Sequence, residues 1–103
     1  SRIGRNAFIG GGATVVEDVI PFGSVVGNHA KLSGLNMVGL KRRGFSKADI
    51  RDIRAAYKAI FHGEGLFRDR LEQAAKDYAD NALAMEIISF IQTGEDRPIC
   101  KPA

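Results

Sequence analysis

The chain has 103 residues, a formal net charge of +3, 45% hydrophobic and 26% charged residues, which fits one globular domain, or a small domain with a piece of another, and excludes disorder. Its longest apolar runs are a few residues, far short of the ~20 that cross a bilayer, and no charged leader precedes an apolar segment. A lone cysteine, Cys100, leaves no disulfide framework. The expectation is a soluble, cytoplasmic chain without membrane insertion.

From Ile3 the sequence divides into sixes: Ile-Gly-Arg-Asn-Ala-Phe, Ile-Gly-Gly-Gly-Ala-Thr and Val-Val-Glu-Asp-Val-Ile, with Pro21 as an extra residue before a looser fourth unit. An aliphatic residue opens each of these three units, glycine follows in two, and Ala7, Ala13 and Val19 take the fifth place. The pattern suits a parallel β-helix whose aliphatics point into a narrow core and whose corners use Gly or Asn where φ is positive. A solenoid buries its faces only by stacking several units. Since the repeat begins at residue 3, the chain is expected to be the C-terminal end of a longer solenoid.

After Leu40 the period becomes helical. Ser46 is a good N-cap with Asp49 three residues on, and Ile50, Ile53, Tyr57, Ile60 and Phe61 share one face of a helix expected over about 46–62. Phe67, Leu71, Ala74, Ala75 and Tyr78 outline a second helix over about 66–80. Leu83 or Ala84, Ile87, Ile88 and Ile91 outline a third over about 82–93, closed by Gly94. The remaining tail reads as irregular. The expected fold is therefore mixed β then α: coils and an exit loop in residues 1–40, and a three-helix domain in residues 41–103.

Few residues carry obvious chemistry. His29 lies in a turn-like stretch, Gly27-Asn28-His29-Ala30, and His62 at a helix C-terminus where the dipole favours a cation; neither has a nearby nucleophile or metal-ligand spacing. No metal and no cofactor is expected. Glu17 and Asp18 adjoin at a corner and point to different sides, so they are expected to be solvated. Cys100 is expected on a mobile tail without activation.

The strongest signal is charge. Between His29 and Lys58 there are eight cations against only Asp49 and Asp52, which implies an anionic partner. Lys47, Arg51, Arg54 and Lys58 form one stripe of the first long helix, continuous with Lys41-Arg42-Arg43. A solvated face and an acidic partner both explain the stripe, and a paired arginine beside a flexible glycine could clamp a diphosphate. Nucleic acid would ask for a recognition helix or interleaved aromatics, and neither is evident.

The hexads, then Gly27-Asn28-His29-Ala30, then the block from Gly34 through Asn36 and Lys41-Arg42-Arg43 to Ser46, and Ile50 to Lys58, closely resemble the C-terminal part of the UDP-N-acetylglucosamine O-acyltransferases. The resemblance runs to about Gly94. It implies a homotrimer of left-handed β-helices with C-terminal helices. The family moves an R-3-hydroxyacyl chain from acyl carrier protein to the 3-hydroxyl of UDP-N-acetylglucosamine, the first step of lipid A biosynthesis.

The family's general base is a histidine of an earlier coil, so no catalytic residue is expected within these residues, and the segment alone is expected to be inactive. By the resemblance, Asn36, Arg42 and Arg43 meet the UDP-sugar. The position of Val38 is acidic in some relatives, a contact valine cannot make. Gly11 and His29 line the acyl-chain groove, where glycine leaves room for a long chain. Lys41, Lys47, Arg51, Arg54 and Lys58 dock the acidic carrier protein. Two alternatives stand beside this: a related N-acyltransferase of the same pathway, against which the Lys41 to Phe45 block argues, and a non-enzymatic basic module binding an anionic polymer such as RNA.

Overall fold

Parallel stacking begins at the first residues. In the computed structural model, which describes residues 1–103, Ile3 bridges Val19, and strand β1 (Phe8–Ile9) pairs in parallel with β2 (Gly23–Val26), each residue meeting the one sixteen positions on. The hexad glycines make this stacking close. A Cβ on Gly4 would stand 2.2 Å from the Pro21 nitrogen, so the second place of that unit admits nothing larger. Asn6 and Gly12, fourth in their units, turn the corners at φ 59° and 77°, where asparagine and glycine suffer least.

The solenoid pattern ends at the turn-like stretch where the exit was expected. Chain direction reverses through the turn at Gly27 to Ala30, and strand β3 (Lys31–Leu35) pairs antiparallel with β2, giving one mixed sheet in the order β1-β2-β3. Gly27 and His29, with φ of 93° and 58°, build this reversal within the stretch expected to leave the coils, and what was expected as an exit loop is a paired strand.

The helical part holds four helices instead of three. The extra one, α1 (Met37–Arg42), is a six-residue turn started by the Asn36 side chain, which accepts from the Gly39 N–H. It was hidden because Gly39 is a poor helix former and one and a half turns carry no readable period. Helices α2 (Lys47–Phe61), α3 (Phe67–Asp77) and α4 (Ala82–Thr93) follow. Ser46 and Asp49 make both hydrogen bonds of a capping box at the start of α2. At its other end, Arg70 of α3 donates to the Ile60 carbonyl, a group the helix leaves open, and to the Gly65 carbonyl of the connecting loop.

One cluster of 18 buried residues runs through both parts: Val19, Ile20, Phe22 and Val25 from the coils, Leu40 from α1, and Ile53, Ile60, Ile87 and Ile88 from α2 and α4. The core thus crosses the division expected at residue 40. Phe22, fully buried, holds φ 67°; its N–H donates to Arg5 and its carbonyl accepts from Asn36, and its ring meets Phe45 edge-on at 5.8 Å. Those contacts hold a bulky side chain in a region it seldom visits.

The tail is not free. Ile99 bridges Asp18 in parallel, Leu32 donates to the Lys101 carbonyl, and Cys100 is 1% exposed. Burial pushes the Cys100 thiol up, so it stays protonated. The mobile-tail expectation fails because the apolar pair Ile99-Cys100 covers the coil end.

Candidate functional site

Lys41, Arg42 and Arg43 occupy three successive places at the end of α1, so their side chains leave the helix about 100° apart and serve different surroundings. Lys41 joins Lys47, Arg51, Arg54 and Lys58 around a shallow groove of about 570 Å³ floored by Ile50. All five residues expected to dock a carrier therefore line one depression. Arg42 turns to a second hollow of about 530 Å³, walled by Phe8, Leu35, Met37 and Val38, with Asn36 also lining it. Arg43 is exposed at the helix end, where its own N–H caps α1, and it lines neither depression.

Asn36 has a structural task as well. Its Oδ1 accepts from Gly39 at 3.1 Å and its Nδ2 donates to the Asn6 carbonyl at 3.0 Å, tying α1 to a coil corner. A Cβ on Gly39 would fall 2.2 Å from that amide, so the glycine inside the short helix is required by its own cap. One N–H and one lone pair of the amide remain for a ligand. Val38, 62% exposed, stands on the rim of this hollow, whose lining has no carboxylate.

Gly11 and His29 lie on turns that stack. Thr14 donates to the Gly27 carbonyl and Ala30 donates to that of Thr14, which brings the two turns to one corner of the coils. Gly11 has nothing within 4 Å of the place its Cβ would take. Both residues are exposed.

The electrostatics of the α1–α2 face follow from where its acids point. Asp49 closes the capping box, and Asp52 accepts from Asn81, whose Oδ1 in turn caps α4. Neither reaches a cation. Of the eight cations from Lys31 to Lys58, none has a carboxylate within 4.0 Å; the three ion pairs of the chain are Arg2–Asp18, Arg97–Asp18 and Arg5–Glu86. Behind the groove, the buried Tyr57 hydroxyl meets His62 Nε2 at 3.2 Å, and burial raises the phenol's pKa.

Sequence reasoning missed the most constrained charge in the chain. Asp18, expected in solvent, is 2% exposed. It accepts from the Arg2 N–H and Nε at 2.8 Å each and from Arg97 Nε at 3.3 Å. Burial alone would raise this carboxyl, but the bonds from the Arg2 backbone and guanidinium, with the charges of Arg2 and Arg97, hold it below its ordinary value of 3.8. Arg2 also donates to the Phe90 carbonyl and stacks 4.2 Å over the Phe90 ring. The available signal was spacing: Arg2 and Asp18 are separated by the same sixteen positions that separate paired coil residues. In catalytic terms the face offers cations, a free amide edge and apolar walls, and no nucleophile or base at hydrogen-bond reach of one another.

Comparison with known proteins identifies the family. Residues 18–100 match the family model described as UDP-N-acetylglucosamine O-acyltransferase, domain 2. The chain is 58% identical over 88 residues to the acyl-[acyl-carrier-protein]–UDP-N-acetylglucosamine O-acyltransferase of Caulobacter vibrioides, covering 85% of this chain and 34% of that protein. It is 50% identical over 103 residues to the enzyme of the same name from Agrobacterium fabrum, covering 99% of this chain and 38% of that one. The chain thus spans little more than a third of the length of the curated relatives it matches. Among solved structures, the Arabidopsis UDP-N-acetylglucosamine acyltransferase superposes with a TM-score of 0.88 at 36% identity over 96% of this chain and 38% of that one. The Bacteroides fragilis enzyme superposes with a TM-score of 0.86 at 29% identity over 97% of this chain and 39% of that one. With the family model matched over most of its length, the chain belongs to the UDP-N-acetylglucosamine O-acyltransferase family.

Proposed function

We propose that the chain forms the nucleotide-sugar and carrier-protein contacts of an enzyme that moves an R-3-hydroxyacyl group from acyl carrier protein to the 3-hydroxyl of UDP-N-acetylglucosamine. This is the opening step of lipid A biosynthesis, carried out in the cytoplasm. The observation that carries the reading is the cationic face of α1 and α2, whose charges have no acid of their own and line a groove beside a hollow of amide and guanidinium. In a homotrimer of left-handed β-helices, residues 1–40 are the last coils and exit, and residues 41–103 the appended helices. The general-base histidine belongs to an earlier coil.

In this reading Asn36, Arg42 and Arg43 hold the UDP-sugar. A guanidinium suits a diphosphate because its planar fork donates two parallel hydrogen bonds. Arg43, outside the hollow of its own chain, reaches a ligand bound between adjacent subunits. Val38 stands at a position that is acidic in some relatives, and valine cannot make that contact. Gly11 and His29 border the acyl chain. Lys41, Lys47, Arg51, Arg54 and Lys58 receive the acidic carrier.

The direct test is Arg43→Ala in the full-length enzyme. KM for the nucleotide sugar is expected to rise about tenfold, the loss of roughly one charge-assisted hydrogen bond, with an unchanged melting temperature. Unchanged kinetics would remove Arg43 from the site.

A further inference from the structure

Helix α1 supplies most of one wall of the Arg42 hollow: Met37, Val38, Gly39 and Arg42, with the cap Asn36, while Phe8 and Ser24 come from the coils. The spacing between helix and coil therefore sets the shape of the site. Six residues with a glycine among them do not hold a helix by themselves, so α1 takes its place from what fixes its middle and its two ends. The middle is fixed by the buried Leu40. At the start, the Asn36 N–H donates to the Phe22 carbonyl at 2.7 Å and its Nδ2 donates to the Asn6 carbonyl. The other end depends on residues outside the hollow.

There Gly44 follows Arg43 with φ 81° and nothing within 4 Å of the place its Cβ would take, a joint that by itself fixes little. Phe45 supplies the anchor: its N–H donates to the Leu40 carbonyl at 3.1 Å and its ring meets Phe22 edge-on. Over both rings lies the Arg5 guanidinium, 5.2 Å from the centre of Phe22 and 5.7 Å from that of Phe45. Arg5 is aimed in turn by Glu86 of α4, whose two carboxylate oxygens accept from its Nε and Nη2 at 2.8 Å each, a fork-on-carboxylate geometry that fixes direction as well as distance. One turn, Arg5-Asn6, thus holds both ends of α1.

We propose that Arg5 and Glu86 are positioning residues for nucleotide-sugar binding: their ion pair, closed over Phe45, holds α1 at the spacing from the coils at which Asn36, Arg42 and Arg43 meet the ligand together. The inference rests on the nucleotide-sugar reading of α1 and adds to it the residues that keep the site in shape. Stability is a weak explanation for so specific a geometry. The two side chains are 52% and 31% exposed, and an ion pair in contact with water contributes little to folding. Position is a stronger explanation, because a shift of about 1 Å in a substrate-holding group can cost up to ~100-fold in rate even when the mutation lies far from the chemistry.

Glu86→Ala in the full-length enzyme releases Arg5 without touching the hollow. KM for the nucleotide sugar should rise at least fivefold, while kcat and KM for the acyl carrier stay within twofold. A merely structural pair would give the reverse, since fewer folded molecules lower kcat and leave KM alone. That result, or unchanged kinetics, would overturn the proposal. A double-mutant cycle tests the route through Phe45: in a Phe45→Leu background, itself raised in KM, adding Glu86→Ala should change KM by less than twofold. The full fivefold effect in that background would also overturn it. Arg43→Ala separates the two ideas. If it leaves the KM for the nucleotide sugar unchanged, the sugar reading fails and the positioning with it; if it raises that KM and Glu86→Ala does not, only the positioning fails.

Discussion

Arginine is used in two opposite ways at the two ends of this molecule. Around Asp18, Arg2 and Arg97 close on a buried carboxylate, and Arg2 also bonds and stacks on Phe90 of α4, so one cluster ties coil, last helix and tail together. Along α1 and α2 the cations are exposed and unpaired, and of the acids beside them Asp49 closes the cap of α2 and Asp52 accepts from Asn81. The first arrangement converts charge into fold: removing a partner strands a buried ion. The second leaves charge for a ligand, since an exposed cation costs the fold little to keep or lose. Mutation should therefore separate stability from binding cleanly.

The largest effect is expected where the charge is buried. Asp18→Asn should lower the unfolding free energy by about 1.5–3 kcal/mol, the loss of hydrogen bonds to a charged group whose arginine partners stay partly in solvent, measured by urea denaturation. The pH dependence has a definite sign. Because the folded carboxyl titrates below its unfolded value of 3.8, the contribution is complete above that pH and is lost as pH falls from there through the folded pKa. In Asp18→Asn this acid-side slope should diminish. Stability insensitive to the substitution would dissolve the contrast between the two regions.

The opposite result is expected on α2. Reversing Arg51 and Arg54 together to glutamate should weaken carrier-protein binding by at least tenfold at low salt, with the gap narrowing as the Debye length shrinks to about 8 Å near physiological ionic strength. Stability should move by no more than about 0.5 kcal/mol. An unchanged affinity at low salt would make the stripe a plain solvated face.

Asn36 belongs to both regimes and sharpens the boundary. As the cap of α1 and the tie to Asn6, its replacement in Asn36→Ala should cost about 1 kcal/mol as well as nucleotide-sugar affinity, whereas Arg43→Ala should cost affinity alone. Calorimetry on both variants, with and without the nucleotide sugar, distinguishes the cases.

What the sequence disclosed follows the same division. The amphipathic face of α2 and its capping box were legible because period and cap are local, and the buried Ile50, Ile53 and Tyr57 lie where the wheel put them. The cationic stripe was legible too, since i, i+4 spacing places charges on one side without tertiary knowledge. Helix α1 and the antiparallel β3 were not, because each depends on a tertiary event: a cap that reaches back to a coil corner, and a reversal that needs positive φ at His29. Asp18 was misplaced because a charge next to another charge reads as solvated until the coil offset brings Arg2 alongside it. Short-range rules found the exposed cationic face, while the cluster that holds the chain together is long-range.

Two adjacent glycines allow the smallest and finest test. Gly12 has φ 77°, so Gly12→Ala should cost about 1 kcal/mol through left-handed strain, although its added methyl would meet nothing within 4 Å. Gly11 has neither a positive φ nor a neighbour within that distance, so Gly11→Ala and even Gly11→Met should leave the melting temperature nearly unchanged. If Gly11 borders an acyl chain, Gly11→Met should nonetheless shift the full-length enzyme toward shorter chains in a competition assay, a change of specificity with no matching change of stability. A melting shift without a specificity shift would instead place residue 11 among the residues that hold the coils.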